Sequence, residues 1–66
     1  MELDIVIPVY NEEKLIHQFY KSLKAMLETL AVDYRIIFID DGSGDKTAVI
    51  LHEISMADPV VMVVNL

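Results

Sequence analysis

The order of apolar and polar residues along the chain predicts alternating strands and helices. Three largely apolar segments, at residues 3–9, 34–39 and 60–64, have the length and β-branched content of buried strands. Between the first two, apolar side chains recur in steps of one and three residues, which predicts an amphipathic helix: Leu15, Ile16, Phe19, Tyr20, Leu23, Met26, Leu27 and Leu30. A second helix is predicted at about residues 46–56, before Asp58-Pro59 ends it.

This order predicts an α/β fold with the sequence β-α-β-α-β. Short connections and right-handed crossovers favour a parallel sheet with adjacent strands. Within the second segment, residues Ile36 to Ile39 have no polar alternation, which predicts helices on both faces and therefore three Rossmann-like layers. Asn11 is expected to cap the first helix, and Asp45 and Thr47 the second. Lys24 is expected on the solvated face of the first helix.

Composition limits what so short a chain can be. It has 66 residues, 55% of them hydrophobic, and no cysteine, which suggests a piece of a larger core. A net charge of −6 with five basic residues argues against nucleic-acid binding. The longest apolar run is too short to span a bilayer, and the acidic residues 1–4 are unlike a signal peptide. The segment is therefore expected in the cytoplasm.

The candidate chemistry lies where the second strand ends, at Asp40 and Asp41. Ligands of open α/β sheets bind outside the carboxyl ends of the strands. A calcium loop of the EF-hand type would need Gly and Glu where Lys46 and His52 stand, and a P-loop would need Gly before Lys46. The glycine fingerprint of dinucleotide-binding folds is missing after the first strand. A receiver-type phosphoaspartate site would place its acids after the first strand, not the second.

Two motifs at the ends of consecutive strands remain, Pro-Val-Tyr-Asn-Glu at residues 8–12 and Asp-Asp-Gly-Ser-Gly-Asp-Lys-Thr at residues 40–47. Together they resemble the N-terminal end of the family-2 inverting glycosyltransferases, which have the A-type nucleotide-diphospho-sugar transferase fold. The residues of the two motifs are most similar to those of the branch that transfers a sugar to polyprenyl or dolichyl phosphate. The resemblance covers essentially the whole chain. It implies that residues 1–66 are the nucleotide-binding, N-terminal portion of an incomplete catalytic domain, with strand order 3-2-1.

The resemblance also implies which residues line the nucleotide pocket: Pro8, Tyr10, Glu12 and Asp41, with Asp40 beside them to orient the loop. Adjacent parallel strands would bring Tyr10 and Asp41 to one crevice. An aromatic ring there can stack on a nucleobase. A carboxylate can accept the imino N–H of uracil or guanine.

The function that the resemblance implies is transfer of a sugar, with inversion, from a UDP- or GDP-linked donor to an acceptor such as a polyprenyl phosphate. It implies Mg²⁺ or Mn²⁺ as cofactor, held by an Asp-x-Asp motif that this segment lacks, as it lacks the catalytic base. The segment alone is expected to be inactive. The intact protein is expected to be membrane-associated at the cytoplasmic face and to serve cell-wall or polysaccharide biosynthesis.

Two further expectations concern the chain as it stands. The alternative function is a non-catalytic nucleotide-binding or protein-interaction module with the same α/β fold. In the A-type fold a further strand pairs beside strand one, so the isolated 66 residues would expose an apolar edge. The chain alone is therefore expected to be ordered only as a homo-oligomer.

Overall fold

Three strands alternate with two helices in the computed structural model, which describes residues 2–66. The elements are β1 Glu2–Val9, α1 Ile16–Leu27, β2 Asp33–Asp40, α2 Thr47–Ala57 and β3 Val61–Asn65. All strand pairs are parallel, and the sheet order β1-β2-β3 puts β2 in the centre. The predicted α/β fold and its strand order are confirmed. The strands and α2 lie within one residue of their predicted bounds, whereas α1 begins later than the sequence indicated.

The core lies between the sheet and the two helices. Ile36 and Phe38 of β2 are completely buried. They cluster with residues from both helices and both outer strands: Val9, Ile16, Leu27, Leu51, Ile54 and Val61. Both helices therefore pack on one face of the sheet. This arrangement follows because successive crossovers of one hand that step in one direction across a sheet place their helices on the same side.

The other face of the sheet is apolar and has no helix over it among residues 2–66. Its side chains form two rows across the three strands, Val6-Ile37-Met62 and Pro8-Ile39-Val64. The outer members of both rows are exposed, and the two isoleucines of β2 are half-buried. The expectation that helices cover both faces is met on one face only. The described residues provide the sheet and one helical layer of a three-layer arrangement.

The apolar stripe of α1 is wider than the surface it covers. Ile16, Tyr20, Leu23 and Leu27 contact the core. The neighbouring row of apolar side chains is exposed: Leu15, Phe19, Met26 and Leu30. Neither helix within residues 2–66 has the length and hydrophobicity that crossing a membrane requires.

A polar cluster joins the helices at the end of the sheet where β2 and β3 begin. Asp58, directly after α2, accepts a hydrogen bond from the hydroxyl of Tyr20, and its carboxylate lies 2.9 Å from the ammonium of Lys24. That ammonium also lies 5.2 Å from the ring centroid of Tyr34. The prediction that Lys24 is solvated is wrong, because its side chain is only 21% exposed. Asp58, which contacts the ammonium of Lys24, is distant from it in the sequence but close in space.

The cluster shifts the ionisation of its members. Burial alone would raise the pKa of Asp58, but the hydrogen bonds from Tyr20 and Lys24 outweigh it and hold that pKa below its ordinary value. Desolvation, together with the hydrogen bond to Asp58, raises the pKa of Tyr20 to about 12. Asp58 therefore stabilises the folded state in its ionised form.

We expect Asp58→Asn in the full-length protein to lower the free energy of unfolding by about 1–3 kcal/mol at pH 7, because it leaves the partly buried ammonium of Lys24 with only its distant, exposed charge partner. Since folding depresses the pKa of Asp58, its contribution is present above the unfolded pKa of about 3.9 and is lost as pH falls through the lower folded value. Urea unfolding at pH 7 and below pH 4 measures the difference in free energy of unfolding between the wild type and Asp58→Asn, which should be smaller at the lower pH.

Glu28→Gln is the matched control. Glu28 also pairs with Lys24, but at 3.7 Å and with a side chain that is 65% exposed. Such surface pairs contribute little, so this variant should unfold like the wild type at both pH values. An equal loss in the two variants would contradict the assignment to Asp58.

Candidate functional site

The residues that follow β1 and β2 lie at the same edge of the sheet. Val9 and Asp40, the last residues of these strands, are register partners. The N–H of Asp41 donates to the carbonyl oxygen of Val9 at 3.0 Å, so the chain continues side by side beyond the strands. We call residues 10–15 the first loop and residues 41–46 the second loop. The sheet thus brings Tyr10 and Asp41 to one edge.

The five residues predicted to bind a nucleotide differ in their accessibility. Tyr10 is 59% exposed, and Glu12 and Asp41 are also exposed. Asp40 is only 3% exposed. Pro8 is exposed on the helix-free face, where its register partner is Ile39. Tyr10, Glu12 and Asp41 are therefore the members of the set whose side chains are open to a ligand at this edge.

Asp40 acts on the second loop from inside. Its Oδ1 accepts hydrogen bonds from the N–H of Ser43 at 3.1 Å and from the hydroxyl of Ser43 at 2.5 Å. Between them Gly42 has φ +73°, a left-handed conformation that glycine adopts without steric cost. Asp40 and Gly42 together fold the second loop back on the end of β2.

Three successive N–H groups of the first loop donate to side chains of the second loop and of α2. The pairs are Asn11 to Ser43 Oγ at 2.9 Å, Glu12 to Thr47 Oγ1 at 2.8 Å, and Glu13 to Asp45 Oδ2 at 3.3 Å. Residues 11–13 precede α1, so each of their N–H groups needs a partner outside that helix. Here, a different part of the chain supplies that partner.

The prediction that Asn11 caps α1 is wrong. The helix begins at Ile16, and the residue at its N-cap position, Leu15, makes no side-chain cap bond. Asn11 instead has φ 50°, and its Oδ1 accepts the N–H of Gly44 at 2.8 Å. Asn tolerates this left-handed backbone conformation better than most residues do. In this conformation the side chain of Asn11 contacts the second loop and not α1.

Thr47, the first residue of α2, is the buried partner of the first loop, and Asp45 beside it is half-buried. Thr47 is completely buried, and its hydroxyl donates to Asp45 Oδ1 while it accepts the N–H of Glu12. Asp45 Oδ1 also accepts the N–H of Thr47 at 2.9 Å, so its side chain binds the first residue of α2 from outside the N-cap position. The predicted capping role of Thr47 is wrong, because its hydroxyl serves the first loop. The N-cap position belongs to Lys46, which makes no side-chain cap bond.

Hydrogen bonds hold Asp45 in its charged form. The hydroxyl of Thr47, with the N–H groups of Thr47 and Glu13, keeps the pKa of Asp45 below its ordinary value. The carboxylate is thus a fixed acceptor between the two loops.

Sequence reasoning missed that Ser43, Asp45 and Thr47 are partners of the first loop. Ser, Asp and Thr are short polar side chains that readily bind backbone N–H groups, and that property was the available signal. Nothing in the local sequence indicated which N–H groups they would meet, 32 to 35 residues away.

Two cavities border the first loop. One, of about 270 Å³, is a groove between β1 and α1 lined by Ile7, Pro8, Val9, Glu12, Leu15, Ile16 and Phe19. The other, of about 380 Å³, is lined by Asn11, Glu12, Glu13, Lys14, Leu15 and Asp45. Neither includes Tyr10 or Asp41, which stand on the open edge between the loops. Residues 2–66 contain no group of three His, Cys, Asp or Glu side chains placed to hold a metal ion.

The sequence is similar to known glycosyltransferases over nearly its whole length. Residues 4–66 match the profile described as glycosyl transferase family 2. The chain is 40% identical over 65 residues to an uncharacterized glycosyltransferase, YkcC, of Bacillus subtilis (strain 168). It is 39% identical over 62 residues to a prophage bactoprenol glucosyl transferase homolog of Escherichia coli (strain K12), and to the bactoprenol glucosyl transferase of Shigella phage SfV. These matches cover 94–98% of this chain and 20% of each relative, so the chain spans about one fifth of their length.

We expect Gly42→Ala to lower the free energy of unfolding by about 1 kcal/mol, because φ +73° is unfavourable for a residue with a Cβ. An added Cβ meets no atom within 4 Å, so the loss would report backbone strain alone. Gly44→Ala is the control, since its Cβ also enters open space and its φ is not in the left-handed region. Thermal unfolding of both variants measures the difference, and equal melting temperatures would contradict the strain at Gly42.

Proposed function

Because this chain belongs to glycosyl transferase family 2, we propose that it is the nucleotide-binding part of an enzyme that transfers a sugar from a nucleotide-diphospho-sugar to an acceptor. The observation that carries the proposal is the common edge of Tyr10 and Asp41. Both are exposed, and both directly follow a pair of register partners at the carboxyl ends of adjacent parallel strands. That is where open α/β sheets bind ligands.

The two side chains offer complementary contacts to a nucleobase. The ring of Tyr10 can stack on the base, an interaction of about 1–3 kcal/mol. The carboxylate of Asp41 can accept the imino N–H that uracil and guanine share, which selects UDP- or GDP-linked donors. We assign Glu12 and Pro8 to the side of the site next to the groove between β1 and α1. Asp40 supports the site through the second loop rather than by contact.

We propose a polyprenyl phosphate as the acceptor. The support is that two of the relatives are a bactoprenol glucosyl transferase and a homolog of such an enzyme. In this reaction an acceptor oxygen attacks the anomeric carbon in line, the bond to the nucleoside diphosphate breaks, and the configuration inverts. A lipid acceptor would bring the intact protein to the cytoplasmic face of a membrane and into cell-wall or polysaccharide biosynthesis.

The proposed cofactor is Mg²⁺ or Mn²⁺, which neutralises a leaving diphosphate in such reactions. Asp41 and its neighbours do not form a set of three metal ligands within residues 2–66. We therefore assign the metal ligands and the catalytic base to parts of the protein outside this segment. The residues described here bind and orient the nucleotide.

We expect Asp41→Ala in the full-length protein to weaken binding of the preferred nucleotide, UDP or GDP, by about 1–3 kcal/mol, the scale of one unsatisfied polar partner. Asp33→Ala is the matched control, because Asp33 is an exposed acid at the opposite end of the same strand. Isothermal titration of the wild type and both variants with UDP and GDP makes the comparison.

Equal affinities of the wild type and Asp41→Ala would contradict the assigned site. Binding of UDP or GDP by a full-length protein that transfers no sugar would favour the alternative, a non-catalytic nucleotide-binding module. Release of nucleoside diphosphate from a nucleotide sugar, in the presence of a polyprenyl phosphate, would support the transferase.

We also propose that the 66 residues on their own associate as a homodimer. β1 is an edge strand of the sheet, and the groove beside it is lined largely by apolar side chains. An apolar edge is a template for pairing with another chain. A core of this size rarely supplies more than about 3–5 kcal/mol, and the sheet face with no helix over it leaves further apolar surface unburied. We propose that burial of this surface against a second copy is what orders the isolated chain.

Light scattering and circular dichroism over a concentration series test this proposal on the isolated 66-residue chain. We expect the mass of a dimer or larger assembly wherever the chain is folded, and loss of structure on dilution. A compact monomer that unfolds cooperatively at micromolar concentration would contradict the proposal.

A further inference from the structure

We infer that Thr47 is a positioning residue for nucleotide binding: its buried hydroxyl holds the peptide of Glu12 and thereby sets the first loop, with Tyr10, opposite Asp41. The inference rests on the function proposed above. It assigns to Thr47 no contact with the nucleotide. Its effect passes through the first loop.

The hydrogen bond from Glu12 to Thr47 is the contact of the first loop that is best shielded from solvent. Thr47 is completely buried, whereas the bonds of Asn11 with Ser43 and Gly44 are exposed. Its hydroxyl has one donor and one acceptor partner at once: it accepts the N–H of Glu12 at 2.8 Å and donates to Asp45. Because the hydroxyl both donates and accepts a hydrogen bond, its orientation is fixed. Its burial also keeps water from competing for these bonds.

The backbone of Glu12 is held at its N–H and at its carbonyl oxygen. Its N–H is bound by Thr47, and its carbonyl oxygen accepts the N–H groups of Leu15 at 3.0 Å and Ile16 at 2.9 Å. The chain therefore passes from β1 to α1 through a residue with no free backbone polar group. Tyr10 lies between this residue and the strand end at Val9, so both ends of the short segment that carries its ring are held.

Without the hydroxyl, only the exposed bonds of Asn11 and the longer bond of Glu13 to Asp45, at 3.3 Å, would hold the first loop. The loop would then spend part of its time away from the second loop. When the competent arrangement is populated for a fraction of the time, the apparent dissociation constant rises by the inverse of that fraction. A tenth of the population would weaken binding about tenfold.

The test compares three variants of Thr47 and its partner in the full-length protein. Thr47→Val keeps the shape and removes the hydroxyl, and Thr47→Ser keeps the hydroxyl. Asp45→Ala removes the acceptor that directs the hydroxyl and, with it, the acceptor of the Glu13 N–H. We expect the dissociation constant for UDP or GDP, whichever the wild type binds, to rise about tenfold in Thr47→Val and by a smaller factor in Asp45→Ala. Thr47→Ser should stay within about twofold of the wild type.

Ile54→Val separates positioning from general destabilisation. Ile54 is a buried core residue of the same helix, and it faces the sheet rather than the loops. Its truncation should lower the melting temperature but leave the dissociation constant unchanged. Hydrogen exchange supplies a second measurement, since Thr47→Val should speed exchange of the Glu12 amide while amides in the middle of α2 remain protected.

The outcomes separate the inference from the proposed function. If the wild type binds neither UDP nor GDP, the proposed function fails. If Asp41→Ala weakens binding but Thr47→Val matches the wild type, the function stands and the positioning role of Thr47 is overturned. If Ile54→Val weakens binding as much as Thr47→Val at equal melting temperature, the effect is one of stability and the role is again overturned. Should Thr47→Val fail to fold, Thr47→Ala, which also lacks the hydroxyl, is judged by the same affinity and Glu12 exchange criteria, because Asp45→Ala also removes the acceptor of the Glu13 N–H.

Discussion

The candidate site depends on hydrogen bonds between two loops that are distant in sequence. The N–H groups of residues 11–13 would lack partners next to the start of α1, and side chains from the second loop and α2 provide them. These contacts require β1 and β2 to end side by side, which the register of Val9 with Asp40 ensures. A slip by one residue would turn every side chain of a strand to the other face and separate the partners. The core packing that fixes the register therefore also fixes the site.

The sheet carries more apolar surface than its two helices cover. Ile36 and Phe38 point into the core, while Ile37 and Ile39 of the same strand face the side without a helix. The continuous apolar run of β2 thus reflects two apolar faces, of which one is packed within residues 2–66. At the far end of the open face, the guanidinium of Arg35 donates to both carboxylate oxygens of Asp4 at 3.0 Å. This surplus of apolar surface agrees with a chain that spans about one fifth of the length of its relatives.

The helical layer is held by polar contacts at both ends of the sheet. At the loop end, Asp45 and Thr47 join the start of α2 to the first loop. At the other end, Asp58 joins the C-terminus of α2 to Tyr20 and Lys24 of α1. Hydrophobic packing is not directional, and these contacts add the direction that it lacks. They restrict sliding of the helices, which would carry the loops with them.

The sequence by itself determined the elements, their order and the edge at which the chemistry lies. Apolar periodicity is a local property, so β1, β2, β3 and α2 were predicted within one residue of their observed bounds. The rule that parallel strands end together placed Tyr10 and Asp41 at one edge, and their exposure agrees with it. The predicted roles of these residues come from the family's motifs, which the local sequence also contains.

Only the tertiary structure decided which polar groups meet. Asn11 was expected to cap its own helix, but α1 begins only at Ile16. The side chain of Asn11 instead accepts the N–H of Gly44, 33 residues away in the sequence, because the sheet brings the two loops together. Lys24 was expected in solvent and is bound by Asp58. In both cases the polar side chain, the short amide of Asn11 or the long ammonium of Lys24, can bond to many groups of equal chemistry. The choice among them follows from the packing of strands and helices, and no local pattern contains that information.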